Sequence, residues 1–240
     1  MNNFHSYQWP KTVKPLTESQ KAISDDFIKY CQDVFHKDWS GLSKFNSTYL
    51  TQNMRITDGI RTLEVGAGNG DHLAYENLEN QEYWANDRRD SQTSLIRSRF
   101  PNVKTINSDC QEGFDVPDGY FDRIIANNVL EHLPNLPKAV EHLERLLSDK
   151  GQLGVALPCD PGLAYRVGKY LTTERAFKKR YKQSYSWFVE SEHINAPEEV
   201  LHVLRKHFKI VHRTYYPCFV PIKHINLLFG MVLEKKTEAD

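Results

Sequence analysis

Apolar positions along the chain follow two periods, and the change between them falls near residue 57. Before it, Ala22, Ile23, Phe27, Ile28, Cys31 and Phe35 recur at spacings of three and four after Thr17, which predicts a helix. Trp39, Leu42, Phe45, Tyr49 and Leu50 predict a second over about 38–55. Beyond it come short β-prone runs, Ile60–Val65, Glu82–Asn86, Val103–Asn107, Phe121–Ala126 and Gln152–Leu157. Between them, helical patterns cover about Asp71–Leu78, Ser91–Phe100 and Leu136–Leu147. Pro137 suits a first turn and Lys150-Gly151 reads as a C-cap. Asn195 before Pro197, Glu198 and Glu199 reads as the N-cap of a helix to about His207. Phe208–Tyr216 and Leu227–Glu234 are the last strands, between an irregular arm at 1–15 and a polar tail at 235–240.

Strands that alternate with helices form a parallel sheet covered on both faces. Two final strands without a helix between them add an antiparallel edge pair. The expected fold is α/β: a doubly wound, Rossmann-like seven-stranded sheet with an antiparallel terminal strand. Amino-terminal helices precede it, and an insert follows the fifth strand at about 160–195. Residues 1–57 form a helical arm or lid, and 58–240 form the main domain with that insert. In such a sheet, ligands sit beyond the carboxyl ends of the strands.

Charge and composition narrow the partners. Lys plus Arg equals Asp plus Glu at 31 each, so the basic surplus of a general nucleic-acid binder is missing. Cys31, Cys110, Cys159 and Cys218 are scattered, without metal-binding or disulfide spacing. No metal is expected, and a reducing, cytoplasmic setting fits. Neither a signal peptide at Met1–His5 nor a membrane-spanning run is expected.

The candidate chemistry lies at strand ends. Glu64-Val65-Gly66-Ala67-Gly68-Asn69-Gly70-Asp71 carries three alternating glycines that let backbone approach a ligand closely. A dinucleotide fingerprint needs a third glycine where Asp71 stands, and a carboxylate there opposes a pyrophosphate. Glu64 before the first glycine suits a ligand ammonium instead. Asp87 lies seventeen residues after Gly70, close to the ~20-residue offset of a ribose-binding acid. Asp109 with the backbone of Cys110 can read an adenine, and Asn127 and Asn128 end the fourth strand. Each signal alone is also an ordinary turn or cap.

Taken in order, these segments resemble the class I S-adenosylmethionine-dependent methyltransferases over about residues 60–158. The loop Glu64-x-Gly66-x-Gly68-x-Gly70 is similar to the family's first motif. Phe121-Asp122-Arg123-Ile124-Ile125-Ala126-Asn127-Asn128-Val129-Leu130-Glu131-His132-Leu133 is similar to its fourth-strand segment. The resemblance implies S-adenosylmethionine as cofactor and S-adenosylhomocysteine as product. It assigns Glu64, Gly66, Gly68, Gly70, Asp87, Asp109, Cys110, Asn127 and Asn128 to cofactor binding. His193 and His132 are the candidate bases for an acceptor proton.

The insert interleaves basic and aromatic residues. Tyr165, Arg166, Arg180 and Tyr181 are its candidate acceptor-binding residues. With Pro158–Tyr165 and Glu192–Asn195 it resembles small-molecule or sugar methyltransferases encoded with bacterial surface-polysaccharide enzymes. That implies a small, anionic acceptor such as a nucleotide- or lipid-linked sugar. Asn127-Asn128-Val129-Leu130 stands where amide and exocyclic-amine methylators carry Asn/Asp-Pro-Pro-Tyr/Phe. A protein, lipid or other metabolite as acceptor, or a non-catalytic cofactor-binding subunit, is the alternative. The basic insert can also contact anionic lipid, although Phe219–Ile222 is too short to anchor a chain alone.

Overall fold

The structure is a computed structural model, and it describes residues 7–38 and 40–237. Trp39, the first six residues of the expected arm and the last three of the tail lie outside the described residues, as do the side chains of Phe35 and Leu42. Helix α1 (Glu18–Asp38) opens on a reciprocal cap: the Gln20 amide donates to Thr17 Oγ1 and the Thr17 amide to Gln20 Oε1. Helix α2 (Ser40–Asn53) leads to β1 (Ile60–Val65), β2 (Gln81–Asn86), α3 (Asp90–Arg99) and β3 (Lys104–Ile106). Then follow β4 (Phe121–Asn127), α4 (Leu136–Leu146) and β5 (Leu147–Pro158). The insert folds as α5 (Leu163–Lys169), a π-helical stretch Tyr170–Glu174, α6 (Arg175–Tyr181) and α7 (Ser186–Glu192). Helix α8 (Pro197–His207), β6 (Phe208–Tyr216) and β7 (Leu228–Lys235) complete the chain.

The sheet order is β3-β2-β1-β4-β5-β7-β6. Strands β1 to β5 pair in parallel, and β7 runs antiparallel between β5 and β6. The strand order reverses between β1 and β4, which opens a crevice at their carboxyl ends. Ile124 and Ala126 of β4 face the large core with α4 and α8, while Ile125 faces α2. Two glycines make room for α2. A Cβ on Gly154 would lie 2.5 Å from Met54 Sδ, and one on Gly230 would collide with the Tyr49 ring. Helix α1 packs elsewhere: Phe27 meets Phe177, Tyr185 and Phe188, so α1 and the insert share a core.

Three local expectations change. The helix expected at Asp71–Leu78 is a single 3₁₀ turn, His72–Tyr75. Glu76 leaves helical backbone at φ −95°, ψ 144°, because its carboxylate turns inward to Arg123. Lys150-Gly151 does not cap a helix: α4 ends at Leu146, and both residues lie where the β4–β5 register skips between Phe121 and Arg123. Asn195 does not cap α8. Its amide donates to the Leu130 and Leu133 carbonyls, while Glu199 accepts from the Ala196 amide.

Candidate active site

The glycine loop leaves β1 with Gly66, Gly68 and Gly70 at φ +64°, +54° and +75°. Any side chain is strained there. A Cβ on Gly66 would also collide with Val129, whereas Gly68 has nothing within 4 Å, so that stretch of backbone is open to a ligand. The Gly68 amide donates to Asp87 Oδ2 at 3.1 Å, which ties the loop to the end of β2.

Beneath the loop lies a buried polar network. Glu64 is 3 % exposed and accepts the Tyr83 hydroxyl at 2.9 Å. The His72 Nδ1 proton goes to the Ser47 carbonyl, and Nε2 lies 2.7 Å from Glu76 Oε1. Arg123 clasps both Glu76 oxygens at 2.6 and 2.7 Å with both side chains fully buried. Burial opposes a charged Glu76, but hydrogen bonds from Arg123 and His72 outweigh it and hold the carboxyl well below its ordinary range. Burial likewise opposes a charged His72, and the Glu76 and Glu64 carboxylates overcome it and raise the ring.

Above the loop, between the sheet's carboxyl edge and the cap of α1 and insert, is a cavity of about 860 Å³. Of the cofactor residues expected from the sequence, Gly66, Asp87, Asp109, Cys110 and Asn128 line it. Glu64, Gly68, Gly70 and Asn127 do not line it: Glu64 and Gly70 are buried, while Gly68 and Asn127 are half-buried. His132, His193 and Tyr165 line it too. Arg166, Arg180 and Tyr181 are not in the wall: Arg166 is exposed, and Arg180 and Tyr181 both bond Asp26 of α1, fixing the insert to the arm.

Each wall carboxylate has its own setting. Asp87 accepts from the Arg89 amide and guanidinium as well as from Gly68. Asp109 accepts the backbone and side-chain amides of Gln111. Burial pushes the Cys110 thiol up to about 12, so it stays neutral. Asn127 and Asn128 donate to the carbonyl and Oδ1 of Asn46, pinning α2 to the end of β4. Asn128 sits at φ +53°, which asparagine tolerates better than most residues. Ser108 Oγ, Asn127 Oδ1, Asn128 Oδ1 and Glu131 Oε2 are buried with no partner. Unmet buried acceptors are costly, and this set fits a ligand that brings ammonium, amine and hydroxyl donors.

The far side holds two histidines and their carboxylate neighbours. His193 Nδ1 lies 3.3 Å from Asp160 Oδ2, which Lys169 approaches at 3.4 Å. Burial opposes ionising Asp160, but the His193 ring and the Lys169 ammonium prevail and keep its carboxyl low. The His132 ring meets that of His193 at 5.3 Å, and its Nδ1 proton goes to the Glu192 carbonyl. Glu131 is 2 % exposed, and burial raises its carboxyl.

The sequence signals assign no role to Arg89, Glu131 or Asp160, and place Asn46 only within the lid segment Phe45–Tyr49. Asp160 follows the fifth strand, so the strand-end rule reached it. Glu131 shows as an ionisable residue in the apolar run Val129–Leu133. Nothing in the sequence singles out Arg89.

A methyltransferase-domain family matches residues 38–208, well over half of the chain. The chain belongs to that family. The solved structures similar to this methyltransferase-domain protein share its fold. They include the CurJ carbon methyltransferase, with TM-score 0.61, 19 % identity and coverage of 89 % of this chain and 59 % of that one. Another is the Burkholderia thailandensis 1,6-didemethyltoxoflavin-N1-methyltransferase, with bound 1,6-didemethyltoxoflavin and S-adenosylhomocysteine. There the TM-score is 0.58 at 18 % identity, over 95 % of this chain and 94 % of that one. Among curated proteins, the protein-L-isoaspartate O-methyltransferase of Rhodopseudomonas palustris (strain BisA53) is 30 % identical over 94 residues, 38 % of this chain and 44 % of that protein. The squalestatin hexaketide synthase of Phoma sp. is 30 % identical over 120 residues, 43 % of this chain and 5 % of the synthase. The matched region thus spans less than half of either curated relative.

Proposed function

We propose that this protein transfers the methyl group of S-adenosylmethionine to a small-molecule acceptor. The observation that carries the reading is the cavity itself, which joins the glycine-loop crevice to the His193–Asp160 pair. Its volume of about 860 Å³ suits a cofactor-sized ligand with a compact acceptor beside it. When bound, S-adenosylmethionine supplies an electrophilic methyl on a positively charged sulfur. The loop backbone at Gly66 and Gly68 leaves room for its amino-acid end. Asp87 stands ready for ribose hydroxyls, and Asp109 with the Cys110 backbone for an amine-bearing ring. The unmet oxygens of Ser108, Asn128 and Glu131 meet ligand donors on the wall.

The acceptor's proton falls to His193. Asp160 stays ionised and accepts the Nδ1 proton, so Nε2 is the basic nitrogen. Asn46, held by Asn127 and Asn128, fixes α2 in the cavity wall, and the cap of α1 and the insert excludes water. The wall carries four basic side chains against five acidic ones, and three of the four, Lys21, Arg89 and Lys169, are already paired with Glu18, Asp87 and Asp160. Support for an anionic acceptor is therefore confined to Arg88. A sugar ring draws its support from Tyr165, with Tyr185 and Phe188 beside it.

Calorimetry with S-adenosylmethionine and S-adenosylhomocysteine tests the cofactor, and S-adenosylhomocysteine release with candidate acceptors tests transfer. His193→Ala is expected to lower turnover by about 10²–10⁴-fold with cofactor affinity intact. No heat on cofactor titration would overturn the reading, and unchanged turnover would remove His193 as the base.

A further inference from the structure

Thirteen large apolar side chains are exposed among the described residues, and eight of them lie on two adjoining segments. Four are on the insert helix: Leu163, Val167, Tyr170 and Leu171, exposed by 48 to 63 %. Their spacing of four, seven and eight residues from the first puts them on one helical face. The opposite face, with Tyr165, Gly168, Lys169 and Thr172, lines the cavity. The other four are on the β6–β7 connection: Phe219, Val220, Ile222 and Ile225, exposed by 39 to 66 %. The connection packs on α5, where a Cβ on Gly162 would lie 2.6 Å from the Lys223 carbonyl oxygen. A helix that turns its apolar stripe outward is an interaction surface, because folded chains rarely leave such patches bare.

The charge around the patch says what covers it. Between Leu163 and Lys182 there are seven basic side chains and one acidic, in a chain of zero net charge. Arg166, Arg175, Lys179 and Lys182 are exposed and pair with no acidic side chain among the described residues. A second copy docked on the same face would set this positive excess against itself. An anionic lipid surface complements it and takes the apolar side chains as well, the two signals together that stable peripheral binding needs.

We propose that the exposed face of the 163–171 helix and the 219–225 connection seats the protein on an anionic lipid bilayer, with the cavity behind that helix. The full chain, mixed with phosphatidylcholine vesicles with and without phosphatidylglycerol, is expected to sediment with the anionic vesicles alone and to be released by salt. Leu171→Asp and Phe219→Asp should each weaken partitioning about tenfold or more. Arg175→Gln and Lys179→Gln should each weaken it about fivefold. All four positions are exposed, so circular dichroism and thermal midpoint should stay at the parent values. Failure to sediment with anionic vesicles, or binding indifferent to these substitutions, overturns the proposal. So does a concentration-dependent dimer in sedimentation velocity that Leu171→Asp abolishes, which would make the face a contact between copies.

Discussion

Two groups of histidine and carboxylates lie on either side of the glycine loop, and they differ in what they leave unmet. Below the loop, Glu64, His72, Glu76 and Arg123 are buried, and every carboxylate has a hydrogen-bond donor, with Arg123 Nε left without a partner. Above it, Glu131 keeps an oxygen without a partner, and His193, backed by Asp160, lines an open cavity. Like residue types do different work. A network whose carboxylates are all paired fixes backbone, because breaking it strands a charge in a low-dielectric interior. An unsatisfied one beside a cavity retains groups for a ligand.

The comparison breaks hardest at Arg123. Arg123→Met strands Glu76 and should cost about 3–5 kcal/mol of unfolding free energy in urea melts. Loss of under 1 kcal/mol would show the lower network to be dispensable. In the upper group, Asp160→Asn should cut turnover about a hundredfold while cofactor affinity and stability hold, since it removes the partner that sets the His193 tautomer. A parallel fall in thermal stability would class Asp160 with the lower network. Between the groups, Asp87→Ala should weaken S-adenosylmethionine by about ten- to a hundredfold in calorimetry, the range for lost hydrogen bonds to a charged group.

The smallest expected effect is a slope. His72 has a folded value raised above 6.5, so its contribution is complete below 6.5 and is lost as pH rises through the raised value. Glu76 is depressed, so its contribution is lost as pH falls below 4.5 toward its folded value. Unfolding free energy measured against pH should decline on both sides, and His72→Gln should flatten the alkaline limb while leaving an acid limb, shallower than the parent's, that Arg123 sustains. An alkaline limb unchanged in that variant would assign the slope to other groups.

Much of this was legible in the chain because it rests on local rules. The strands at 60–65 and 121–127 show as β-prone runs, and Gly66 and Gly70 mark backbone that only glycine adopts without strain. The 71–78 helix was misread because inward turning of Glu76 depends on Arg123, 47 residues away. The acceptor side was read from the richness of the insert in basic and aromatic residues, but composition does not tell which face of a helix meets a cavity. Tyr165 faces inward, whereas Arg180 and Tyr181 serve Asp26 of α1.

The sequence by itself determined the order of strands and helices, the glycine-loop backbone and the series of polar residues at strand ends, since each depends on neighbours a few residues apart. Only the tertiary structure decided which carboxylates are satisfied, that Asp160 supports His193, and that one insert helix shows a polar face to the cavity and an apolar face to solvent. Those outcomes depend on pairings between distant segments, whose partners are chosen by packing rather than by spacing along the chain.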